Sequence, residues 1–316
     1  MKLNRHFLQS EQWESFQKSQ GNETFRIVKE NYEIFAICKK TALGNYIYCP
    51  YGPAVANFDA LKDSLGELRG LANTTNSLFV RIEPTFKFLP EQMKSLGLIK
   101  TADLNAPATW VLDLSKEEKE LLSGIEKERT RYWRGREKRG MNIRVSKDTK
   151  DIDILYGFLK TCADENGWVG ETKEYLSHQL EQDFATLYVL ELNDEDGQTI
   201  PLAASLMFDD ETTRFYGHSA NNPEKRYRKY RANGVLLVQA ILDAKNSGKK
   251  AFDFWGITTS DDENHPWAGF TRFKKSFGGR AVEYSGTWDL PTSKLKYNVY
   301  TILRNINRAI RAIRYH

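Results

Sequence analysis

The spacing of apolar positions along this chain switches repeatedly between the two-residue repeat of a strand and the 3.6-residue repeat of a helix. A short helix at residues 10–18 precedes an apolar-alternating stretch at 25–40, and Gly44-Asn45 then turns the chain into 46–48, predicting a small antiparallel sheet. The PYGP stretch at 50–53 breaks that pattern. Leu61, Leu65, Leu68 and Leu71 mark one face of an amphipathic helix. A strand at 78–82 ending in Glu83-Pro84, a brief helix at 91–96 and a strand at 109–114 complete the order α, β, β, β, α, β, α, β. Ser115 and Glu118 have capping-box spacing and predict a helix to about Arg139, before Gly140.

Beyond it the pattern predicts a strand at 142–146, helices at 152–166 and 173–183 (Thr172 as cap), and a strand at 186–192. A turn at 194–197 leads to strands at 200–208 and 213–219. After a loop containing Asn221-Asn222-Pro223 come a helix at 232–246 stopped by Gly248, a buried strand at 251–255, a short helix, and a strand at 281–288. The order β-α-α-β-β-β-α-β-α-β resembles the GNAT acyltransferase fold, whose splayed central sheet admits an acyl donor between its middle strands. The first half alternates in a related way without an internal sequence repeat, so any duplication is one of architecture.

A length of 316 residues suits two domains, and no apolar run approaches the roughly 18 residues of a membrane span. The first residues lack an export signal, so a cytoplasmic location is expected. The three cysteines, Cys38, Cys49 and Cys162, form no CxxC pair and read as small apolar residues. The five histidines (His6, His178, His218, His265 and His316) have no ligand spacing, which argues against a metal. P-loop, dinucleotide-binding, zincin and nucleophile-elbow motifs are all missing. Net charge is only +4, but basic residues interleave with aromatic or aliphatic ones at 127–139, 225–231 and 304–314. Together these stripes point to a polyanionic partner, against the plainer reading of solvated helix faces. Where an acetyl-CoA enzyme carries its pyrophosphate loop, this chain reads Arg231-Ala232-Asn233-Gly234-Val235-Leu236. The bulk of Leu236 is expected to obstruct CoA.

The densest concentration of costly residue types lies at 251–279, AFDFWGITTSDDENHPWAGFTRFKKSFGG. Phe270, Phe273 and Phe277 share a helical face, while Lys274 and Lys275 precede the Gly278-Gly279 stop. Adjacent lysines beside an aromatic face most often mean packing and solvation. A lysine in a desolvated cleft would instead stabilise negative charge developing on oxygen.

PYGP (50–53), RIEP (81–84), TWVLDLS (109–115), ERTRYWRGREKRG (128–140), DFWGI (253–257), HPWAGFTRFKKSFGG (265–279) and EYSGTWDLP (283–291) resemble the Fem family. Its members are peptidyltransferases that move an amino acid from aminoacyl-tRNA to the stem peptide of a peptidoglycan precursor. The resemblance implies an α/β (α+β) chain of two GNAT-like domains with a cleft. The expected boundaries are 1–145 and 146–290, with a helix at 291–316 packing back on the first domain. The interval 142–173 leaves no room for the long coiled-coil arm of some members.

By the same resemblance Lys274 stabilises the oxyanion, Phe273 helps to hold the tRNA acceptor end, and Tyr175 lines the precursor pocket. No general base is implied, and no cofactor beyond aminoacyl-tRNA as co-substrate. Glu171 stands where the member using UDP-MurNAc-pentapeptide has a diphosphate-binding arginine, and Ser15 stands where it has a lysine. These departures favour the lipid-linked precursor, lipid II, with Lys18, Lys173 and Lys275 as candidates for its diphosphate. Trp255, Trp267 and Phe273 are expected to close the site to water, and Tyr227, Tyr230 and Arg231 to contact donor or precursor. In the tail, Tyr300, Leu303, Ile306, Ile310 and Ile313 form one apolar side with Arg304, Arg308 and Arg311 opposite. That side either packs on the first domain or lies on an anionic inner membrane surface. The competing functions are a GNAT-type N-acyltransferase using CoA or an acyl-carrier protein, and a non-catalytic RNA- or membrane-binding module.

Overall fold

The structure is a computed structural model that describes residues 3, 5–193 and 196–314, without the side chains of 307–314. The first half of the expected turn at 194–197, His316, and the side chains of Ile310, Ile313, Arg308 and Arg311 thus lie outside the described residues.

The chain begins with α1 (Glu11–Ser19), whose N-cap Ser10 accepts from the Trp13 N–H at 3.1 Å. The apolar-alternating stretch is a hairpin of β1 (Glu23–Val28) and β2 (Tyr32–Lys39), followed by β3 (Tyr46–Cys49) and the short β4 (Ala54–Val55). In α2 (Phe58–Thr74) the face read from the leucines is the buried one, with Leu61, Leu65 and Leu68 in the core. Next come β5 (Phe79–Ile82), α3 (Pro90–Ser95), β6 (Ile99–Lys100) and β7 (Ala108–Asp113).

The expected helix to Arg139 is two helices, α4 (Glu118–Gly124) and α5 (Lys127–Arg134). Ile125 between them is extended, and the Glu126 N–H donates outside the helix, to Ser276 O at 2.8 Å. The capping box does not form, because Glu117 is the N-cap and the Ser115 N–H donates to Asp113 Oδ1 at 2.9 Å. The elements β8 (Met141–Ser146), α6 (Ile152–Asn166), α7 (Lys173–Leu180), β9 (Ala185–Asn193), β10 (Thr199–Asp209), β11 (Thr213–Asn221), α8 (Ala232–Asn246), β12 (Ala251–Gly256) and α9 (Ala268–Lys275) follow the predicted order. The strand expected at 281–288 is two strands in different sheets, β13 (Arg280–Glu283) and β14 (Trp288–Pro291), ahead of α10 (Lys294–Arg314).

Two compact units result, one of Met1–Ala108 with Glu283–His316 and one of Thr109–Val282. The division expected at 145/146 therefore moves, and strand pairing gives the reason. β7 pairs antiparallel with β12. β14 instead pairs with β5 and β6 in the first sheet, whose order is β1-β2-β3-β5-β14-β6 with β4 beside β2. Within that unit the bidentate pair of Arg81 Nε and Nη2 with Asp289 Oδ1 and Oδ2, both at 2.7 Å, is buried at the β5–β14 junction. The Tyr297 hydroxyl adds a hydrogen bond to Asp289 Oδ2 at 2.8 Å. Tyr297 and Tyr300 pack on Phe79, which ties the start of α10 to this unit.

The second sheet runs β13-β7-β12-β11-β10-β9-β8. One of its faces forms a core with α8, including Tyr216, Val235, Leu236, Phe252, Phe254 and Phe277. This is the mixed α/β, GNAT-like architecture the element order implied, and residues 142–173 hold α6 rather than a long arm.

Candidate active site

The second sheet is forked. β11 and β12 pair in parallel only from Thr213↔Ala251 to Phe215↔Asp253, although β11 continues to Asn221 and β12 to Gly256. The departure begins at a register shift between Asp253 and Gly256 on the β7 side, where Trp255 has φ +62°. A bulky residue in the left-handed region costs on the order of 1–3 kcal/mol and needs surrounding contacts to hold it. Asp253 supplies them. Its carboxylate accepts from the Trp255 N–H at 2.7 Å and from the Thr109 hydroxyl of β7.

Lys274 of α9 fills the space behind this bulge and is 1% exposed. Its Nζ donates to Gly256 O at 2.6 Å and lies 3.9 Å from the centroid of the Phe270 ring and 6.0 Å from that of Tyr216. Gly256 O is its single hydrogen-bond acceptor among the described residues, which leaves two of the three ammonium N–H groups uncommitted. Thr271, one turn earlier, accepts from the Thr258 N–H at 3.0 Å and fixes the exit of β12 to α9. Burial pushes the Lys274 ammonium down to about 7, partly offset by the charge of Asp253. Burial likewise pushes Asp253 up to about 6, against the hydrogen bonds from Thr109 and Trp255 and the charge of Lys274. Each group is thus poised near neutrality.

The open side of the fork carries a polar line. The Tyr216 hydroxyl accepts from Asn233 Nδ2 at 2.7 Å, Ser219 Oγ donates to Asn233 Oδ1 at 3.2 Å, and the hydroxyls of Ser205 and Ser219 are 2.7 Å apart. Beside it Arg129 of α5 donates to Ser276 Oγ, and its guanidinium lies over Phe273 at 4.6 Å and Phe277 at 5.0 Å. The end of α9 needs both its glycines. Gly278 (φ +75°) and Gly279 (φ +99°) are left-handed, and a Cβ on Gly279 would stand 2.4 Å from Val111 O.

The expected residues separate accordingly. Lys274 and Phe273 belong to this cluster. Lys275 is exposed, with Nζ 5.6 Å from the Trp110 ring, and Trp267 is 43% exposed. Trp255 does not cover Lys274: its ring packs on Phe208 and Phe215, which sit across the sheet from Tyr216 by strand alternation. Tyr230 packs against the α8 core, and Arg231 (φ +52°) precedes α8 and pairs with Glu128 at 3.1 Å. Lys173 of α7 pairs with Asp153 of α6, Tyr175 is half-buried on α7, and neither helix joins the α8 core. Lys18, in the first unit, pairs with Glu14 at 2.8 Å. Leu236 is wholly buried in the core, so its bulk does not bar CoA as expected; the atom nearest Gly234 is Arg129 Nη1, 2.9 Å from an added Cβ.

Asp253, Thr109, Tyr216, Asn233 and Arg129 were not singled out in the sequence. Asp253 alone carried a signal, as a carboxylate inside an otherwise apolar strand. A hollow of about 520 Å³ lies at the paired end of β12 around Lys116, Lys250 and Arg280, and Lys274 is not part of its lining. No grouping of His, Cys, Asp and Glu suited to a metal occurs among the described residues.

Residues 171–305 match the model of the FemAB family. The chain is 26% identical over 147 residues to the aminoacyltransferase FemA of Staphylococcus epidermidis, covering 46% of this chain and 34% of that protein. It thus spans about a third of the length of the curated relatives it matches. A solved structure of FemX superposes with a TM-score of 0.78 at 17% identity, covering 95% of this chain and 94% of that one. A tandem GNAT protein from the clavulanic acid biosynthesis pathway gives a TM-score of 0.51 at 10% identity, over 83% and 79% of the two chains. The fold is therefore that of FemX and of tandem GNAT proteins.

Proposed function

Because the second half of this Fem-family chain carries the FemAB domain, we propose that it is an aminoacyltransferase moving an amino acid from aminoacyl-tRNA to the stem peptide of a peptidoglycan precursor. The observation that carries this reading is Lys274, a buried cation at the mouth of a forked sheet with two N–H groups to spare. In the transfer, a neutral stem-peptide amine attacks the carbonyl carbon of the aminoacyl ester. A C–N bond forms and the carbonyl oxygen becomes an oxyanion, which Lys274 receives in a desolvated site. Collapse breaks the ester C–O bond, the ribose oxygen of the tRNA leaves, and the proton released by the amine neutralises it. The ester is already activated, so no cofactor is required.

The lipid-linked precursor is the preferred acceptor, because Glu171 and Ser15 replace cations that would hold a UDP-linked one. Transfer then takes place in the cytoplasm, at the inner face of the membrane. For the diphosphate, Lys275 is favoured over Lys18 and Lys173, since those two have carboxylate partners and Lys275 has none among the described residues. Phe273, with Arg129 against its ring, together with Tyr230 and Arg231, supports a contact with the tRNA acceptor end.

The test is incubation with charged tRNA and either lipid-linked or UDP-linked precursor, followed by mass spectrometry of the precursor. A gain of one amino-acid residue on the lipid-linked form is expected, and its loss in Lys274→Ala. Acetylation by acetyl-CoA with no aminoacyl transfer would replace this reading by the N-acyltransferase one.

A further inference from the structure

Six cations and no acidic residue occur in α10: Lys294, Lys296, Arg304, Arg308, Arg311 and Arg314. The helix holds to its own unit through Tyr297 and Tyr300. With 3.6 residues per turn, Leu295, Val299, Ile302 and Ile306 line up in one stripe on the side opposite those tyrosines. All four face solvent, from 49% exposed at Val299 and Ile306 to 75% at Leu295. The sequence repeats the spacing at Ile310 and Ile313. Amphipathic helices ordinarily turn the aliphatic face inward, and this one presents it outward and docks by two tyrosines instead.

We infer that the Leu295–Val299–Ile302–Ile306 stripe of α10 docks on an anionic lipid bilayer, lying in the interface with Lys294 and Lys296, which flank the stripe, among the headgroups. Charge selects this occupant. A second copy laid on the stripe would set two helices side by side that each carry six cations and no acidic residue, with Lys294 and Lys296 at the edges of the stripe and Arg304 behind it, a repulsive arrangement. Anionic headgroups complement the same charge, and the stems of Lys294 and Lys296 reach them from the two flanks of a helix half sunk in the interface, with Arg304 on the side away from it. The helix would lie on the surface without crossing it, since no described helix is long and apolar enough to span. The inference deepens the proposed function by naming the surface that holds the enzyme, and it rests on that reading only for the whereabouts of the acceptor.

The test is flotation of the full chain with vesicles of phosphatidylglycerol mixed with phosphatidylcholine, and with vesicles of phosphatidylcholine alone. Wild type should float with the mixed vesicles and stay behind with the neutral ones. The triple variant Val299→Ser, Ile302→Ser, Ile306→Ser, altered only at exposed positions, should keep the wild-type melting curve and lose partitioning by roughly a hundredfold. Lys294→Gln with Lys296→Gln should weaken it several-fold and flatten its salt dependence. Truncation before Tyr297 is avoided because it removes a donor to Asp289. Failure to float with mixed vesicles, equal flotation of the serine variant, or a vesicle-free dimer abolished by those serines would overturn the inference. Aminoacyl transfer to detergent-dissolved precursor, measured without vesicles, reports the catalytic reading separately.

Discussion

Lys274 Nζ donates its 2.6 Å hydrogen bond to the carbonyl of Gly256, the last residue of a strand that has already parted from its neighbour. That bond holds the ammonium beside the point where β12 has left β11, and the Phe270 and Tyr216 rings stand over it in an almost completely buried place. Position and desolvation thus meet at one atom, and the first three predictions follow from it.

Lys274→Ala should lower single-turnover aminoacyl transfer by about 100- to 1000-fold with little change in donor binding. Lys274→Arg keeps the charge but not the compact reach of an ammonium, and should recover only a small part of the loss. Wild-type transfer by the alanine variant would remove Lys274 from the mechanism.

Lys274→Met should stabilise the fold while abolishing transfer. In the folded chain the ammonium titrates at about 7, against 10.5 as its ordinary value. Between those values the unfolded chain binds the proton and the folded chain does not, so this group makes stability rise with pH across the window. Below about 7 both states hold the proton and the full cost of the buried charge is present. Asp253 acts oppositely, lowering stability as pH rises from 3.8 to about 6. The methionine variant should thus gain about 2–4 kcal/mol more at about pH 6 than at about pH 10. Urea unfolding at the two pH values measures the difference, and equal gains at both would mean that the lysine is not desolvated.

Asp253→Asn should act through Lys274. The carboxylate charge raises the lysine pKa, and an amide oxygen can still accept from Thr109 and from the Trp255 N–H. The lysine then loses its proton at lower pH, and transfer should fall about three- to tenfold on the alkaline side and recover on acidification. A kcat/KM profile against pH reads this directly; a uniform loss at all pH values would indicate that Asp253 only holds the bulge.

In the first unit, Asp289→Asn should cost about 3–5 kcal/mol, because it leaves the Arg81 guanidinium buried against half a partner. Arg81→Met combined with Asp289→Leu should restore much of that stability. A double variant as unstable as the single one would show that packing around Tyr297, rather than the charge, sets the cost.

Element order and the segment that holds Lys274 were legible because both are local. Period, caps and glycine stops placed α6, α8 and β12 almost to the residue, and FKKSFGG carried the Fem resemblance that the FemAB match over 171–305 bears out. What stayed hidden depends on pairing between distant segments. Nothing near β7 says that it joins β12, nor does anything near Trp288 say that it inserts between β5 and β6, so the expected boundary fell at 145/146. For the same reason Trp255 was expected beside Lys274, although the bulge and strand alternation put its ring across the sheet. The apolar side expected on α10 put Tyr300 with Ile306, and the structure separates them: Tyr300 is buried on Phe79 while Ile306 is exposed in the stripe with Leu295, Val299 and Ile302.

The insertion of β14 into the first sheet also bears on how the chain folds as it is made. Arg81 and Asp289, joined at the β5–β14 junction, are 208 residues apart. The whole second unit, Thr109–Val282, is synthesised between them. It can therefore collapse on its own contacts while the first sheet still waits on the ribosome for its fifth strand. During translation the unit that carries the candidate site can mature first, and the unit whose strands flank it in sequence is sealed last.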